Sequence, residues 1–246
     1  MEKLQPHIKC RKGNISKNLL LPGDPGRVPI IAKHLSDAKK IRYNREFFSY
    51  NGKYKDVPIS VMSTGIGCPS TLIAMEELAN IGAENFIRIG TCGGLKNSVK
   101  PGDLIIVDSA IKPDGKILGY ELSKDPVKAN KKITKALVNA AKKLNIKFHK
   151  GLNRTHDSFY ESTEDFLKLK GKNIISSEME CAAVYLVAKL KGLKAGCVLV
   201  VNTYEPPEEV EKDPNIIYRL SDKNAVKKGM INAIKVSLEA IKSINN

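Results

Sequence analysis

The chain has 246 residues, is 42% hydrophobic and carries a formal net charge of +15 at neutral pH. That size and apolar content suit one substantial core, so we expect a single domain over residues 1–246. The sequence has no apolar run of about 18 residues or more and its first residues are charged, so we expect a cytoplasmic protein with neither a membrane span nor a secretory leader. The lysines are scattered among acidic residues and tryptophan is absent, so a solvated basic surface is expected rather than a nucleic-acid-binding platform.

Short apolar runs alternate with amphipathic segments along the whole chain. This pattern is typical of an α/β domain in which helices cover both faces of a central sheet. The predicted strands are 19–21, 41–50, 57–63, 85–89, 104–110, 147–152 and 195–201. The predicted helices are 25–35, 69–81, 130–144, 163–169, 178–191 and 223–241. The Asn51-Gly52 pair predicts a hairpin turn, which makes the expected sheet mixed rather than purely parallel.

Two segments between these elements are expected to be loops, because they are rich in proline, glycine and acidic residues: 112–128 and 202–214. The second segment follows directly from a predicted buried strand, and ligands of open α/β sheets bind outside the carboxyl ends of strands. Segment 202–214 is therefore a candidate lid over a ligand site.

Arginine is rare in this chain, with 7 arginines against 34 lysines, and three of the arginines occupy turns or strand ends. Arg27 closes the turn Leu-Pro-Gly-Asp-Pro-Gly-Arg, Arg45 lies in Tyr-Asn-Arg-Glu-Phe, and Arg88 lies in Phe-Ile-Arg-Ile-Gly-Thr. A planar guanidinium donates several hydrogen bonds to one oxyanion. The placement of these arginines therefore indicates a small, phosphate-like ligand.

Glycine-rich turns follow two of the predicted strands. The turn from Gly23 to Arg27 opens a helix whose free amides favour an anion, although an ordinary strand-to-helix turn explains the same residues equally well. The turn from Gly65 to Ser70 lacks the third glycine of the dinucleotide-binding fingerprint. A Rossmann cofactor site is therefore not expected there.

Arg88 lies inside a predicted buried strand, where an unpaired charge is costly. A structural ion pair and a ligand-binding role both account for an arginine in this position. The glycines directly after the strand favour the second explanation, because they let a ligand approach the backbone. Thr91 would then offer its hydroxyl to the same anion.

Two acidic residues, Glu178 and Glu180, begin a predicted helix. The helix dipole alone explains carboxylates at this position, whereas a rigidly held carboxylate also accepts hydrogen bonds from two vicinal hydroxyls of a sugar. Phe159 and Tyr160 follow a predicted strand, where they either pack against the core or form an aromatic wall for a base or a sugar.

Together these segments resemble the hexameric nucleoside phosphorylases, the family of the uridine and purine nucleoside phosphorylases. The similar segments run in order from about His7 to the last helix: PGDPGR at 22–27, NREF at 44–47, STGIG at 63–67 with PST at 69–71, RIGT at 88–91 and EME at 178–180. The resemblance implies a pentosyltransferase of nucleotide salvage that uses inorganic phosphate to split a nucleoside into free base and ribose 1-phosphate. It implies no metal and no organic cofactor.

The resemblance also implies roles for individual residues. Phosphate would be bound by Gly23, Arg27, Arg88 and Thr91, together with Arg45 of a neighbouring subunit. Ribose would be bound by Met179, Glu180 and the neighbour's His7, and the base by Cys92, Phe159, Thr163 and Glu178. The catalytic residues would be Arg88, Glu180 and, on the base side, Asn202 or Thr203. The expected assembly is a homo-oligomer in which dimers form a hexamer and share residues across subunits.

The expected base follows from two partial matches to the family. The motif Ser-Thr-Gly-Ile-Gly-x-Pro-Ser-Thr is more similar to the uridine branch, whose base-binding glutamine and arginine correspond to Thr163 and Asp165 here. The aspartate of the purine branch corresponds to Asn202 or Thr203, neither of which donates a proton as an aspartic acid does. Uridine is favoured, with a purine nucleoside (inosine, adenosine or methylthioadenosine) as the alternative.

Two further functions remain open at this point. A nucleosidase of the same fold would cleave the bond with water and would not need three arginines. A nonenzymatic nucleoside-binding or nucleic-acid-binding protein would bind oligonucleotides with a steep salt dependence and no turnover.

Overall fold

A computed structural model of the chain describes residues 3–112, 125–218 and 222–245. Within these residues ten strands form one sheet: β1 (Asn18–Pro22), β2 (Ser36–Asn44), β3 (Phe47–Tyr54), β4 (Val57–Met62), β5 (Asn85–Gly94), β6 (Leu104–Ile111), β7 (Val127–Lys128), β8 (Phe148–Thr155), β9 (Ser176–Glu178) and β10 (Lys194–Tyr204). The α-helices there are α1 (Arg27–Ala32), α2 (Gly67–Asn80), α3 (Lys131–Lys143), α4 (Thr163–Leu167), α5 (Cys181–Leu190), α6 (Pro207–Lys212) and α7 (Lys223–Ile244). A short 3₁₀ helix follows α6 at Pro214–Tyr218.

The sheet is mixed, as predicted, and part of it closes on itself. The strand order is β10-β6-β8-β9-β5-β1-β4-β3-β2, with β7 on β6, and β10 also pairs with β5. Strands β10, β6, β8, β9 and β5 therefore form a ring, from which β1, β4, β3 and β2 extend as an open sheet. The parallel pairs include β1 with β5 and β5 with β10, while β2, β3 and β4 form antiparallel hairpins.

Helices cover both faces of the sheet, which confirms the predicted α/β class. The core on one face contains residues of α2 and α5, and the core on the other face contains residues of α1, α3 and α7. Helix α5 is the most enclosed, since every residue from Cys181 to Ala188 is buried. Its Tyr185 hydroxyl donates to the Val107 carbonyl at 2.8 Å, which satisfies a buried polar group. Because α5 begins directly after Glu180, this packed helix holds that residue in place.

The predicted hairpin at Asn51-Gly52 is wrong, because these residues lie in the middle of β3. The chain instead turns at Arg45, with φ of 53°, and at Lys55 and Asp56, with φ of 48° and 67°. Gly52 serves packing rather than turning, since a Cβ there would lie 2.7 Å from Cβ of Leu35. The single strand predicted over 41–50 is therefore two strands joined by a tight turn.

The loop predicted over 202–214 is also wrong in part. Strand β10 continues to Tyr204, and α6 begins one residue after Pro206, where proline suits the start of a helix. Of the other predicted loop, residues 113–124 lie outside the described residues, and β7 at its end pairs with β6. Short strand β9 replaces the predicted start of the helix over 178–191.

Among the described helices, none combines the length and the apolar character that crossing a bilayer requires.

Candidate active site

A cavity of about 340 Å³ lies beside the carboxyl ends of the parallel strands β1, β5 and β10. This is the edge of an α/β sheet at which ligands bind. The predicted site residues that line it are Gly23, Arg27, Arg88, Thr91, Cys92, Phe159, Thr163, Glu178, Met179, Glu180, Asn202 and Thr203. The remaining two, His7 and Arg45, do not line it.

Arg88 is the central cation of the cavity and is 3% exposed. Its Nε and Nη2 donate to Glu178 Oε2 at 3.1 and 3.0 Å, and Nη2 also pairs with Glu180 Oε2. Its Nη1 is buried without an acceptor among the described residues, and it lies 3.7 Å from where a Cβ on Gly23 would be. Burial lowers the pKa of Arg88, but Glu180 and Glu178 raise it by more, so the guanidinium stays charged.

Arg27 brings a second guanidinium to the same end of the cavity. It begins α1, after a turn in which the Gly26 N–H donates to Asp24 Oδ1 at 2.7 Å. Its Nε lies 3.8 Å from Asp24 Oδ2. Burial lowers the pKa of Arg27, Asp24 opposes this shift, and Arg88 adds to it. Two guanidiniums that destabilise each other's charge are both stabilised by an anion between them.

Glycines keep this end of the cavity open. A Cβ on Gly90 would lie 2.7 Å from Arg88 Nη2, and a Cβ on Gly23 would lie 3.2 Å from the Gly65 carbonyl oxygen. The Gly65 N–H donates to the Gly23 carbonyl at 3.0 Å, which joins the two glycine-rich turns. The backbone therefore approaches any ligand held by the two arginines closely, as the sequence indicates.

Glu178 holds Arg88 in position. Besides Arg88, its carboxylate accepts hydrogen bonds from Asn153 Nδ2 at 2.8 Å, from Thr155 Oγ1 at 2.7 Å, and from the N–H groups of Glu180 and Cys181 at 2.8 and 3.0 Å. Burial raises the pKa of Glu178, but Arg88 and these donors lower it by more, so the group is ionised. Although Glu178 lines the cavity, its oxygens are occupied by protein donors, whereas the resemblance assigns it to the base.

Glu180 joins the arginine to the start of α2. Its Oε1 accepts the Gly67 N–H at 2.6 Å, and its Oε2 pairs with Arg88. Burial raises the pKa of Glu180, and the negative charge of Glu178 raises it further. The positive charge of Arg88 acts in the opposite direction. The neighbouring Met179 also lines the cavity, and its carbonyl accepts a weak hydrogen bond from Cys68 Sγ at 3.4 Å.

The residues predicted for the base lie further along the same cavity. Phe159 is 69% exposed and meets Tyr160 edge to face, with ring centroids 5.2 Å apart. The β5–β10 pairing shifts register between Val201 and Thr203, which leaves Asn202 as an irregularity in the strand at the cavity wall. The cavity thus has a cationic end near Arg88 and an aromatic wall elsewhere.

His7 and Arg45 occupy one surface region of the chain. The His7 ring Nδ1 lies 2.5 Å from Glu77 Oε1, and the His7 N–H donates to the same carboxylate. The Asn44 side chain donates to the His7 carbonyl at 2.6 Å, which attaches His7 to the turn that carries the exposed Arg45. In a single chain, neither residue contributes to the cavity described above.

Three charged side chains that line the cavity lie outside the motifs identified in the sequence: Arg154, Glu161 and Glu205. Arg154 extends from β8, two residues beyond the predicted strand, and forms a bidentate pair with Glu161. Glu205 follows the end of β10, and burial raises its pKa to about 7. Because arginine is rare in this chain, Arg154 is a candidate ligand-binding residue on the same ground as Arg27, Arg45 and Arg88.

The comparisons with known proteins agree on one family. The family profile described as the phosphorylase superfamily matches residues 17–242. The uridine phosphorylase of Thermococcus kodakarensis is 41% identical over 214 residues, which are 81% of this chain and 77% of that protein. The guanosine phosphorylase of Halorubrum lacusprofundi is 36% identical over 199 residues, 80% of this chain and 83% of that one. The crystal structure of uridine phosphorylase from Vibrio fischeri superimposes with a TM-score of 0.87 at 31% identity, covering 99% of this chain and 98% of the other.

Proposed function

The chain belongs to the phosphorylase superfamily, and on that premise we propose that its cavity uses inorganic phosphate to split a nucleoside into free base and ribose 1-phosphate. The single observation that carries this proposal is Nη1 of Arg88, a buried donor with no acceptor among the described residues. Leaving such a donor unsatisfied is costly, and a phosphate oxygen beside Gly23 accepts a charge-assisted hydrogen bond from it. Arg27 then contacts the same anion.

The proposed mechanism follows from where the charges lie. Phosphate held by Arg27 and Arg88 attacks the anomeric carbon as the glycosidic bond loosens and the ribose becomes cationic. Glu180, whose carboxylate pairs with Arg88 beside the phosphate, binds the ribose hydroxyls, and its negative charge stabilises the cationic ribose. Negative charge develops on the departing base, and hydrogen-bond donors at the far end of the cavity stabilise it. Phosphate is the co-substrate, and no metal or organic cofactor is part of the proposal.

Uridine is the favoured substrate, with a purine nucleoside as the alternative. Uridine is supported by the Ser-Thr-Gly-Ile-Gly-x-Pro-Ser-Thr motif and by the names of the relatives from Thermococcus kodakarensis and Vibrio fischeri. The guanosine phosphorylase among the relatives supports the purine alternative. Phe159, Thr163 and Cys92 are the proposed base contacts, and Asn202 or Thr203 is the proposed catalytic group on the base side.

The test of this function is release of base from uridine, thymidine, inosine, adenosine and methylthioadenosine, each measured with and without phosphate. We expect base release only with phosphate, accompanied by an equal amount of ribose 1-phosphate. Equal rates without phosphate would instead support a nucleosidase. Absence of turnover, together with oligonucleotide binding that weakens steeply with salt, would support a binding protein.

We also propose that the chain forms a homo-oligomer, with dimers assembling into a hexamer, in which each site receives His7 and Arg45 from a neighbour. The proposal is supported by the position of both residues in one surface region outside their own cavity. Mixed oligomers of Arg45→Asn chains and Arg88→Met chains test it, because asparagine tolerates the positive φ of position 45. Each variant alone should be impaired, and the mixture should regain activity at sites that combine an intact cavity with an intact Arg45. A mixture no more active than its components would contradict sharing.

A further inference from the structure

Three charged side chains lie at the end of the cavity away from Arg88: Arg154, Glu161 and Glu205. Glu205 lies directly over Gly93, because a Cβ at that glycine would overlap Oε1 of the glutamate. Gly93 and Arg88 are five residues apart on β5, which corresponds to roughly 16 Å of extended strand. Arg154 lies near the same point, because its Nη1 contacts Ser177, which pairs with Gly93. These side chains therefore lie further along β5 than the backbone of Arg88.

Arg154 is held in place but is not saturated. Its Nη1 donates to Glu161 Oε2 at 2.8 Å and to Ser177 Oγ at 3.4 Å, and its Nη2 pairs with Glu161 Oε1. Both members of the pair are largely buried, with side-chain exposures of 17% and 18%. A guanidinium has five N–H groups, so Nε–H and one Nη2–H have no acceptor within the ranges that the structure describes. Glu161 thus orients the arginine and leaves donors for a ligand in the cavity.

Glu205 offers a further donor at the same end. Its backbone N–H donates to the Gly94 carbonyl at 3.0 Å, which fixes the residue against β5. Burial raises the pKa of its carboxyl to about 7, Thr203 and Arg154 oppose the shift, and Glu161 adds to it. A carboxyl with this pKa retains its proton in a large fraction of molecules at neutral pH, and the protonated form donates an O–H hydrogen bond.

We propose that Arg154, oriented by Glu161, and Glu205 bind the base through hydrogen-bond donors, and that they select bases carrying a ring carbonyl over bases carrying an amino group at the same position. This inference rests on the proposed function, because it assigns the base-binding part of the same cavity. Uracil and hypoxanthine present carbonyl oxygens where cytosine and adenine present amino groups. An amino group of the base that faces these donors leaves both itself and the protein donors buried without acceptors. Unpaired buried donors discriminate against a substrate more strongly than a difference in apolar contact does.

The same donors also suit the reaction. The negative charge of a departing 4-oxopyrimidine or 6-oxopurine is shared with its carbonyl oxygen, so a hydrogen bond from Arg154 strengthens as the glycosidic bond breaks. Interactions that strengthen in this way raise turnover rather than substrate binding alone. Loss of Arg154 should therefore lower kcat as well as raise KM for the nucleoside.

The experiment compares kcat/KM for uridine against cytidine and for inosine against adenosine in the wild type, Arg154→Met and Lys150→Met. Lys150 is a matched control, since it lies on the same strand, is about half exposed and does not line the cavity. We expect the wild type and the control to prefer the oxo nucleosides by about 100-fold or more. Arg154→Met should lose most of that preference while KM for phosphate stays within about twofold.

Glu205→Gln provides the second arm, because its neutral amide keeps a donor in the same place. It should retain the oxo preference and should lack the fall in kcat/KM above pH 7 that we expect of the wild type. Glu205→Leu should lose the preference. An Arg154→Met protein that melts like the wild type and keeps the wild-type preference would overturn the inference, and so would a wild type without preference.

Calorimetric binding of uridine and cytidine to the wild type and Arg154→Met separates this inference from the proposed function. A wild type that binds uridine far more tightly than cytidine, with the difference lost in Arg154→Met, supports the base-binding assignment even if no nucleoside is cleaved. In that case the phosphorylase function alone would fail. Equal binding of both nucleosides by an enzyme that performs phosphorolysis would overturn the base-binding assignment alone.

Discussion

Replacing Arg88 by methionine removes two roles at once, and the structure predicts a separate magnitude for each. The variant leaves Glu178 and Glu180, both less than 7% exposed, without their cation. Breaking a buried ion pair costs about 3–5 kcal/mol, and we expect the lower end because both carboxylates keep other hydrogen-bond donors. A loss of about 3 kcal/mol in the free energy of unfolding corresponds to a Tm lowered by about 6–12 °C in a domain of this size.

The second role is the donor at Nη1. Loss of one preorganised donor to a reacting group lowers kcat by about 100-fold to 1000-fold. The variant should also lose its stabilisation by phosphate. A ligand present at 100 times its Kd stabilises the folded state by about 2.7 kcal/mol, so saturating phosphate should raise the Tm of the wild type by about 5–11 °C. We expect almost no such rise in Arg88→Met.

Differential scanning calorimetry with and without phosphate, combined with a coupled assay of base release, distinguishes the two roles. The double variant Arg88→Met/Glu180→Gln is the control, because it removes the cation together with one of the carboxylates that the cation neutralises. We expect it to regain part of the lost stability and none of the lost turnover. An Arg88→Met enzyme with reduced stability but unchanged turnover and phosphate response would refute the reasoning, since it would limit Arg88 to a structural ion pair.

Three further changes test other parts of the structure. Gly90→Ala places a Cβ 2.7 Å from the buried guanidinium, so KM for phosphate should rise about tenfold in steady-state assays, and an unchanged KM would contradict the close packing. Gly93→Ala displaces the Glu205 carboxyl, so kcat/KM for uridine should fall about tenfold or more while KM for phosphate is unaffected. Hydrogen bonds to Glu239, the strongest of them from Lys55, lower the pKa of its carboxyl from 4.5 to about 2. The carboxylate therefore stabilises the fold above pH 4.5, and this contribution is lost as the pH falls towards 2. Glu239→Gln should cost about 1–2 kcal/mol at pH 7 in urea unfolding and should flatten the pH dependence below pH 4.5; an equally steep curve would contradict this assignment.

The fold class could be predicted because apolar runs and helical periodicity are local properties of the chain. Turn positions were less predictable, because Asn51-Gly52 has the composition of a tight turn while Gly52 is needed for its contact with Leu35. The turns that form place Arg45 and Lys55 at positive φ, where neither residue is typical, and use Asp56, which is common in that conformation. Tertiary packing therefore decided where the hairpins lie.

The candidate site also has a part that could be predicted from the sequence and a part that could not. Glycine-rich turns and an arginine in a buried strand mark the phosphate end locally, and the structure brings these residues together. The role of Glu178 in holding Arg88 was not predictable, because its hydrogen-bond partners Asn153 and Thr155 lie more than 20 positions away in sequence. Arg154 and Glu205 carry no local signal beyond residue type, and only the ring of strands places them at one end of the cavity.

The formal charges at the phosphate end explain why the proposed site needs more than the residues of one chain. Two arginines, Arg27 and Arg88, face the carboxylates of Asp24, Glu178 and Glu180, so this part of the cavity has no formal excess of positive charge before substrate binds. Adding a phosphate of charge near −2 to a buried site without excess positive charge is unfavourable unless further positive charge is supplied. In the proposed function one positive charge comes from Arg45 of a neighbour and another develops on the ribose as the bond breaks. The compensating negative charge moves onto the departing base, away from the phosphate, so the phosphate is stabilised more in the transition state than with the bound substrates, which is the condition under which binding energy accelerates a reaction.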